Sequence, residues 1–333
     1  MDPETATLDR SAAYIETQQR VAAIAELLTS QAQREVGSQW EVLGAGPGSD
    51  ESRSGAIIDP EALLLMSLWL APRDAALRSA AHEWVARWSD LLSVQRTRNI
   101  AKGFSDVVHS ELYAVAVTAH ERGKDFRWTP VIAGGAGSGA APDAATAAFD
   151  KRLPQGADRL AVERDALLVL RFRMAFGVGA RADALAYLLA RSSAWSSVTE
   201  IAQATGYTPS AIRRALDRMA EADIVLSVDD GTTRFRCDAT PWAALLGLQA
   251  TVAPWQYWLQ RFVFVATFVE WAESLSLRKV TAYTITESLR GVARAFRPSD
   301  DHDALRAWEH SFRDGSSLDE MVAALQGVLA AAV

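Results

Sequence analysis

Along most of the chain apolar residues recur every three or four positions, the spacing of a helix that buries one face. Residues 7–36 read as one long helix, with Ile15, Val21, Ile24 and Leu28 in register. Asp59-Pro60-Glu61 starts another: the Asp59 carboxylate caps it, and Pro60 fills a first-turn position whose N–H needs no partner. The segment that follows, 63–70, is apolar nearly all round, the pattern of a buried helix. Helices are expected over 75–92 and 93–104, with a third capped by Ser105 and running to Glu121. Another long helix spans 158–176, ended at Gly177 and Gly179 by a left-handed cap. Helical spacing returns at 254–274, 281–296, 300–312 and 317–332, the last opened by Ser317 and Glu320 as a capping box. The fold class is therefore mainly α.

Residues 181–238 combine two periods. A first helix, 182–191, carries Leu185, Leu188 and Leu189 on one side. A second opens at Ser197 and Glu200, a further capping box, and turns Val198, Ile201 and Ala202 inward. Gly206 ends it where a residue without Cβ takes the left-handed conformation of a tight turn. Thr208 caps a third helix, Pro209 occupies its first turn, and Ile212, Leu216 and Met219 form its buried stripe. Beyond Asp223 the period becomes two: Ile224, Leu226 and Val228 alternate, Asp229-Asp230-Gly231 turns the chain, and 232–237 returns as a second strand. Three helices followed by a hairpin describe a winged helix-turn-helix.

Ser197-Val-Thr-Glu-Ile-Ala-Gln-Ala-Thr-Gly-Tyr-Thr-Pro-Ser-Ala-Ile-Arg-Arg-Ala-Leu-Asp-Arg-Met resembles the helix-turn-helix of MarR-type winged-helix regulators. Gly177-Val-Gly-Ala-Arg-Ala-Asp-Ala-Leu-Ala-Tyr-Leu-Leu resembles the lead-in helix of the same broad group, so the likeness covers about 177–238. Where such regulators usually place Gly before the first wing strand, this chain has Asp223. The resemblance implies that the third helix enters the major groove by its N-terminal half while the wing follows neighbouring phosphates. Carried over by position, Ser210, Arg213 and Arg214 face bases or phosphates, and Arg218 meets the backbone one turn on. Thr199 and Gln203 on the second helix, Thr208 at the cap of the third and Arg234 on the wing complete the set. The implied activity is sequence-specific transcriptional regulation on double-stranded DNA, as a homodimer. The alternative is an antitoxin or adaptor whose helical domains bind a partner protein. Abortive-infection antitoxins also pair a winged helix with a helical domain, with the winged helix N-terminal where this one is central.

Charge narrows these options. A net charge of −7 over 333 residues is against a surface coated by nucleic acid and leaves room for a local basic face. Residues 181–238 hold seven Arg against eight Asp or Glu, a net of −1, a balance that also suits a protein-binding module. The single cysteine, Cys237, excludes an internal disulfide and reads as a half-buried wing residue rather than a redox sensor. His82, His109, His120, His302 and His310 show no metal spacing, and no catalytic or dinucleotide fingerprint is present. The Gly-rich run 134–142 lacks the Gly-Lys-Ser/Thr of a phosphate loop. No cofactor and no enzymatic activity are expected. Met-Asp-Pro-Glu-Thr at the start has no signal-peptide character, and the most apolar run, 262–269, is too short to cross a bilayer. A cytoplasmic, nucleoid-associated protein is expected.

Composition divides the chain into a helical domain (1–122), a Gly/Ala/Pro-rich linker (123–157), the winged helix (158–240) and a second helical domain (241–333), with 44–55 a shorter linker. The helices 63–70 and 254–274 offer more apolar face than one small domain needs, the ground for expecting a homodimer. Trp255, Trp258 and Phe262, continued by Phe268 and Trp271, read as a packing or subunit seam in preference to an effector pocket. Arg96, Arg98 and Lys102 lie on 93–104 with no acidic residue, as a solvated basic face or, less readily, the third helix of a second helix-turn-helix.

Overall fold

The computed structural model describes residues 3–45, 55–135, 160–247, 252–275, 281–294, 296 and 302–330. The chain is mainly helical, with one small three-stranded antiparallel sheet. It divides into two compact units, Glu35–Leu259 and a second made of Met1–Arg34 with Gln260–Val333. This cuts across the four segments expected from composition, because 56–135 and 160–247 share one unit. Most of the Gly-rich run at 134–142 and of the linker at 44–55 lies outside the described residues.

The larger unit is built around α2 (Pro60–Leu70), with α3 (Ala75–Trp88), α4 (Val94–Ala101), α5 (Asp106–Glu121) and α6 (Thr129–Gly135). Asp59 caps α2 by accepting the Ala62 amide at 3.1 Å, and every residue of the helix is buried. The C-terminal turns of α1 (Pro3–Val42) contribute Trp40, whose Nε1 donates to Ser67 Oγ at 2.8 Å. Ser105 precedes α5 without a side-chain cap bond.

Next come α7 (Leu168–Phe176), α8 (Ala180–Ala190), β1 (Ser196–Ser197), α9 (Val198–Thr205), α10 (Pro209–Glu221), β2 (Leu226–Asp229), β3 (Thr233–Arg236) and α11 (Ala239–Leu246). The helix expected over 158–176 is shorter. Residues 165–167 form a 3-10 turn, and the Ala166 carbonyl accepts the Ile58 amide at 2.9 Å, which draws that backbone into a tertiary contact. Gly177 ends α7 at φ 83° with an extended ψ of 157°, not in a left-handed cap.

The second unit holds most of α1 and of α12 (Trp258–Leu275), with α13 (Ala282–Arg294), α14 (His302–Ser311) and α15 (Leu318–Ala330). Gln18 Nε2 donates to the Leu275 carbonyl at 3.0 Å. Phe264 stacks on Phe296 with centroids 4.2 Å apart, and Trp308 meets both rings edge-on. The capping box of α15 forms as expected, with Ser317 N to Glu320 Oε2 at 2.7 Å and Glu320 N to Ser317 Oγ at 3.3 Å.

The apolar helices that suggested a dimer are covered within the chain: Leu63, Leu65, Phe262 and Phe268 are fully buried. Trp255 is not on the helix of Phe262. It precedes α12, bridges to Ile57 and sets its ring edge-on to Tyr187 at 5.4 Å, while Trp258 Nε1 donates to the Ile57 carbonyl at 2.8 Å.

Candidate nucleic-acid interface

The surface of interest begins with local caps. Glu200 N donates to Ser197 Oγ at 3.2 Å and Ser197 N to Glu200 Oε2 at 2.7 Å, so two amides at the start of α9 are satisfied reciprocally. Ser197→Ala is expected to cost about 1 kcal/mol, read as a lower urea midpoint with an unchanged m-value. Gly206 ends α9 at φ 69°. A Cβ there would sit 3.0 Å from Leu259 Cδ2 and 3.2 Å from Ile100 Cγ2, so glycine is needed for space as well as for conformation. Thr208 Oγ1 then accepts the Ala211 amide at 3.3 Å, and Pro209 opens α10.

One face of α10, with Ile212, Ala215, Leu216 and Met219, is buried against α8 and α9. The other presents Ser210, Arg213, Arg214, Asp217, Arg218 and Glu221 to solvent. Thr199 and Gln203 are exposed on α9, and Thr208 at the turn, so the sequence-predicted residues of both helices are all open to solvent. Arg218 is 70% exposed and pairs with Glu221 at 2.7 Å. Arg234, exposed on β3, is 3.9 Å from Asp230 at the hairpin tip. That acidic tip, Asp229-Asp230, opposes a close approach of the turn to phosphate.

Asp223 takes the left-handed conformation itself (φ 57°), and the Ile224 amide closes a 2.9 Å bond to the Met219 carbonyl. The aspartate thereby takes a conformation that glycine adopts most readily. The strand phase, however, is shifted by one from expectation. Val225, Phe235 and Cys237 are buried, while Ile224, Leu226 and Val228 are exposed. Strand order is β1-β3-β2, with Phe235 opposite Ser196 on one side and Ser227 on the other. Arg213 places its guanidinium 5.9 Å above the Phe235 ring, and Arg236 stacks over Trp195 at 4.7 Å, a pair that the sequence reading did not single out. Burial pushes the Cys237 thiol up to about 12, which makes it a poor nucleophile or sensor.

Beneath the turn lies an ion cluster that sequence reasoning missed. Arg96 donates to Asp59 (2.7 and 2.5 Å), to Glu61 (2.5 Å) and to the Thr205 carbonyl (2.6 Å) at the end of α9. Arg173 forks onto Asp183 (2.8 and 2.6 Å) and Glu61 (2.6 and 2.9 Å) and reaches the Leu91 carbonyl at 2.9 Å. All five side chains are buried, and two guanidiniums face three carboxylates. The excess negative charge lies at helix starts: Asp59 caps α2, Glu61 and Asp183 lie in the first turns of α2 and α8, and the Ser93 amide at the start of α4 donates to Glu61 at 2.7 Å. Peptide dipoles there supply the balancing positive potential. Burial raises the Glu61 carboxyl, but Arg173 and Arg96 more than reverse this and hold it at about 2. Arg96 is therefore not part of a solvated basic face. Only Arg98 and Lys102 of that trio are exposed, and the second helix-turn-helix loses its central arginine.

Among the described residues no cluster of His, Cys, Asp and Glu could hold a metal ion, and no helix is long and apolar enough to cross a membrane. No protein-family model, no curated protein and no solved structure matches the chain.

Proposed function

We propose that residues 180–238 form a winged helix-turn-helix and that the chain is a sequence-specific DNA-binding transcriptional regulator. One observation carries this reading. An α10 fixed on one side by Ile212, Leu216 and Met219 turns Ser210, Arg213, Arg214 and Arg218 outward, after a glycine turn and before an antiparallel hairpin. Arginine's forked donors suit guanine edges and phosphates alike. Two half-sites on one duplex would template a pair of chains, which offsets a modest single-site affinity. Its place of action is the nucleoid.

The test is a salt titration of full-length protein on duplex from its own promoter and on scrambled duplex. Wild type should prefer the promoter, because base contacts add to a salt-sensitive phosphate term. The double variant Arg213→Ala/Arg214→Ala should remove most of that preference, with at least one of the two arginines losing about 1–3 kcal/mol at its base, while Arg218→Ala and Arg234→Ala should lower the salt slope by about one. Arg98→Ala, exposed on α4, is the control; Arg96 is unsuitable because it is buried in the ion cluster. Equal, weak binding of both duplexes would count against the regulator.

A second reading, an adaptor or antitoxin that holds a partner protein, is favoured by the outer face of the hairpin. There Ile224, Leu226 and Val228 are exposed above an acidic tip. It would show as a co-purifying protein released by Leu226→Asp, with no duplex preference.

A further inference from the structure

The exposed side of α10 is ordered. At 3.6 residues per turn, Ser210, Arg214, Asp217 and Glu221 fall within about 60° of one another, directly opposite the buried stripe, whereas Arg213 and Arg218 lie about 70° to either side. Their neighbours agree with this placement. Arg213 leans on the Phe235 ring of β3 at 5.9 Å, and Arg218 is drawn to Glu221 at 2.7 Å. Arg214 and Asp217, the two middle members of the row, are both exposed, and neither makes an ion pair among the described residues.

We propose that this row reads a G·C core of about three base pairs, with Arg214 taking a guanine and Asp217 the amino group of a cytosine. The proposal rests on the winged-helix reading and names the kind of duplex that the same surface selects. The span follows from geometry: Ser210 and Asp217 are seven residues apart, a rise of about 10.5 Å, or about three base pairs at 3.4 Å each.

The base identities follow from donor and acceptor chemistry. Arg214 carries only donors, and guanine alone offers two adjacent acceptors in the major groove. Asp217 carries only acceptors. Guanine and thymine present acceptors at that edge and repel it, and adenine sets N7 beside its amino group. Cytosine offers an amino group with no acceptor beside it. A carboxylate surrounded by phosphates is costly unless it finds such a donor, so Asp217 rejects wrong bases as much as it selects the right one. The row contains no Asn or Gln, the side chains that read adenine with two bonds. Gln203 is on α9, and Arg213 and Arg218 are placed for the flanking phosphates.

Selection by the full-length chain from duplexes with a fully randomised core tests this. The expected result is enrichment of a short core with a fixed guanine and a fixed cytosine. Arg214→Ala should lower the guanine preference about tenfold, Asp217→Ala the cytosine preference about tenfold, and Arg213→Ala should weaken every sequence alike. All three positions are exposed, so the variants test recognition and not folding. An A·T core, or an unchanged cytosine preference in Asp217→Ala, would overturn the assignment while leaving the winged-helix reading intact. No enrichment of any sequence would overturn both.

Discussion

Arg173→Met should lower the unfolding free energy by about 3–5 kcal/mol, although methionine is apolar and similar in length. The loss arises because buried Asp183 loses the guanidinium that holds it by two bonds, and buried Glu61 loses two bonds and keeps only Arg96 of its two cationic partners. Packing alone predicts a smaller effect, and pH separates the two. In the wild type Glu61 is held at about 2, below its ordinary 4.5, so its contribution is complete above about pH 4.5 and is lost as the pH falls toward 2. Without Arg173 that contribution is reduced to what Arg96 and the Ser93 amide supply, and protonation relieves the rest of the buried charge. The gap between variant and wild type should therefore be widest at neutral pH and narrow by about pH 3 in urea unfolding followed by circular dichroism. A gap of equal size at both pH values would mean that shape, and not charge, makes Arg173 important.

Phe235→Ala should cost a similar 3–5 kcal/mol, because the ring is buried on the central strand and fills the space between the sheet and α8–α10. Leu226→Ala, on the outward side of β2, should stay within about 0.5 kcal/mol. The comparison tests the register itself. A one-residue slip exchanges the two faces of a strand, so a costly Leu226→Ala with a mild Phe235→Ala would show that the hairpin pairs differently.

Local chemistry was readable at most helix ends, though Ser105 makes no cap bond and Gly177 forms no left-handed cap. The caps at Asp59, Ser197, Thr208 and Ser317 and the turn at Gly206 each act within four residues, and each is formed. The buried stripe of α10 was equally legible from spacing. The hairpin phase was not, because Ile224, Val225 and Leu226 are all apolar and only the Asp223 turn decides which of them points inward. The helix at 158–176 failed for a tertiary reason, the bond between Ile58 and Ala166. The ion cluster unites residues up to 112 positions apart, beyond the reach of any local pattern. It left one trace: Glu61 is the single charge in an otherwise apolar helix, where a buried carboxylate needs a cationic partner from elsewhere in the chain. The exposed face of α10 was legible as a set of residues, but its division into a central row and two flanks required the helix to be placed against its neighbours.

The same cluster sets an order of events during synthesis. Glu61 and Arg96 are made well before Arg173 and Asp183; the interval from Arg96 to Arg173 alone is about 4–15 s at ordinary translation rates. In that interval the nascent chain holds Asp59, Glu61 and Arg96 in a half-built charge site on an apolar helix. The last stabilising bonds arrive only when α7, α8 and the end of α9 emerge. A ribosome that stalls between residues 101 and 173 therefore exposes a hydrophobic segment with unmet charge, the kind of surface that chaperones hold and proteases cut. The outward face of α10 thus becomes available only after chain elements made much earlier have been captured beneath it.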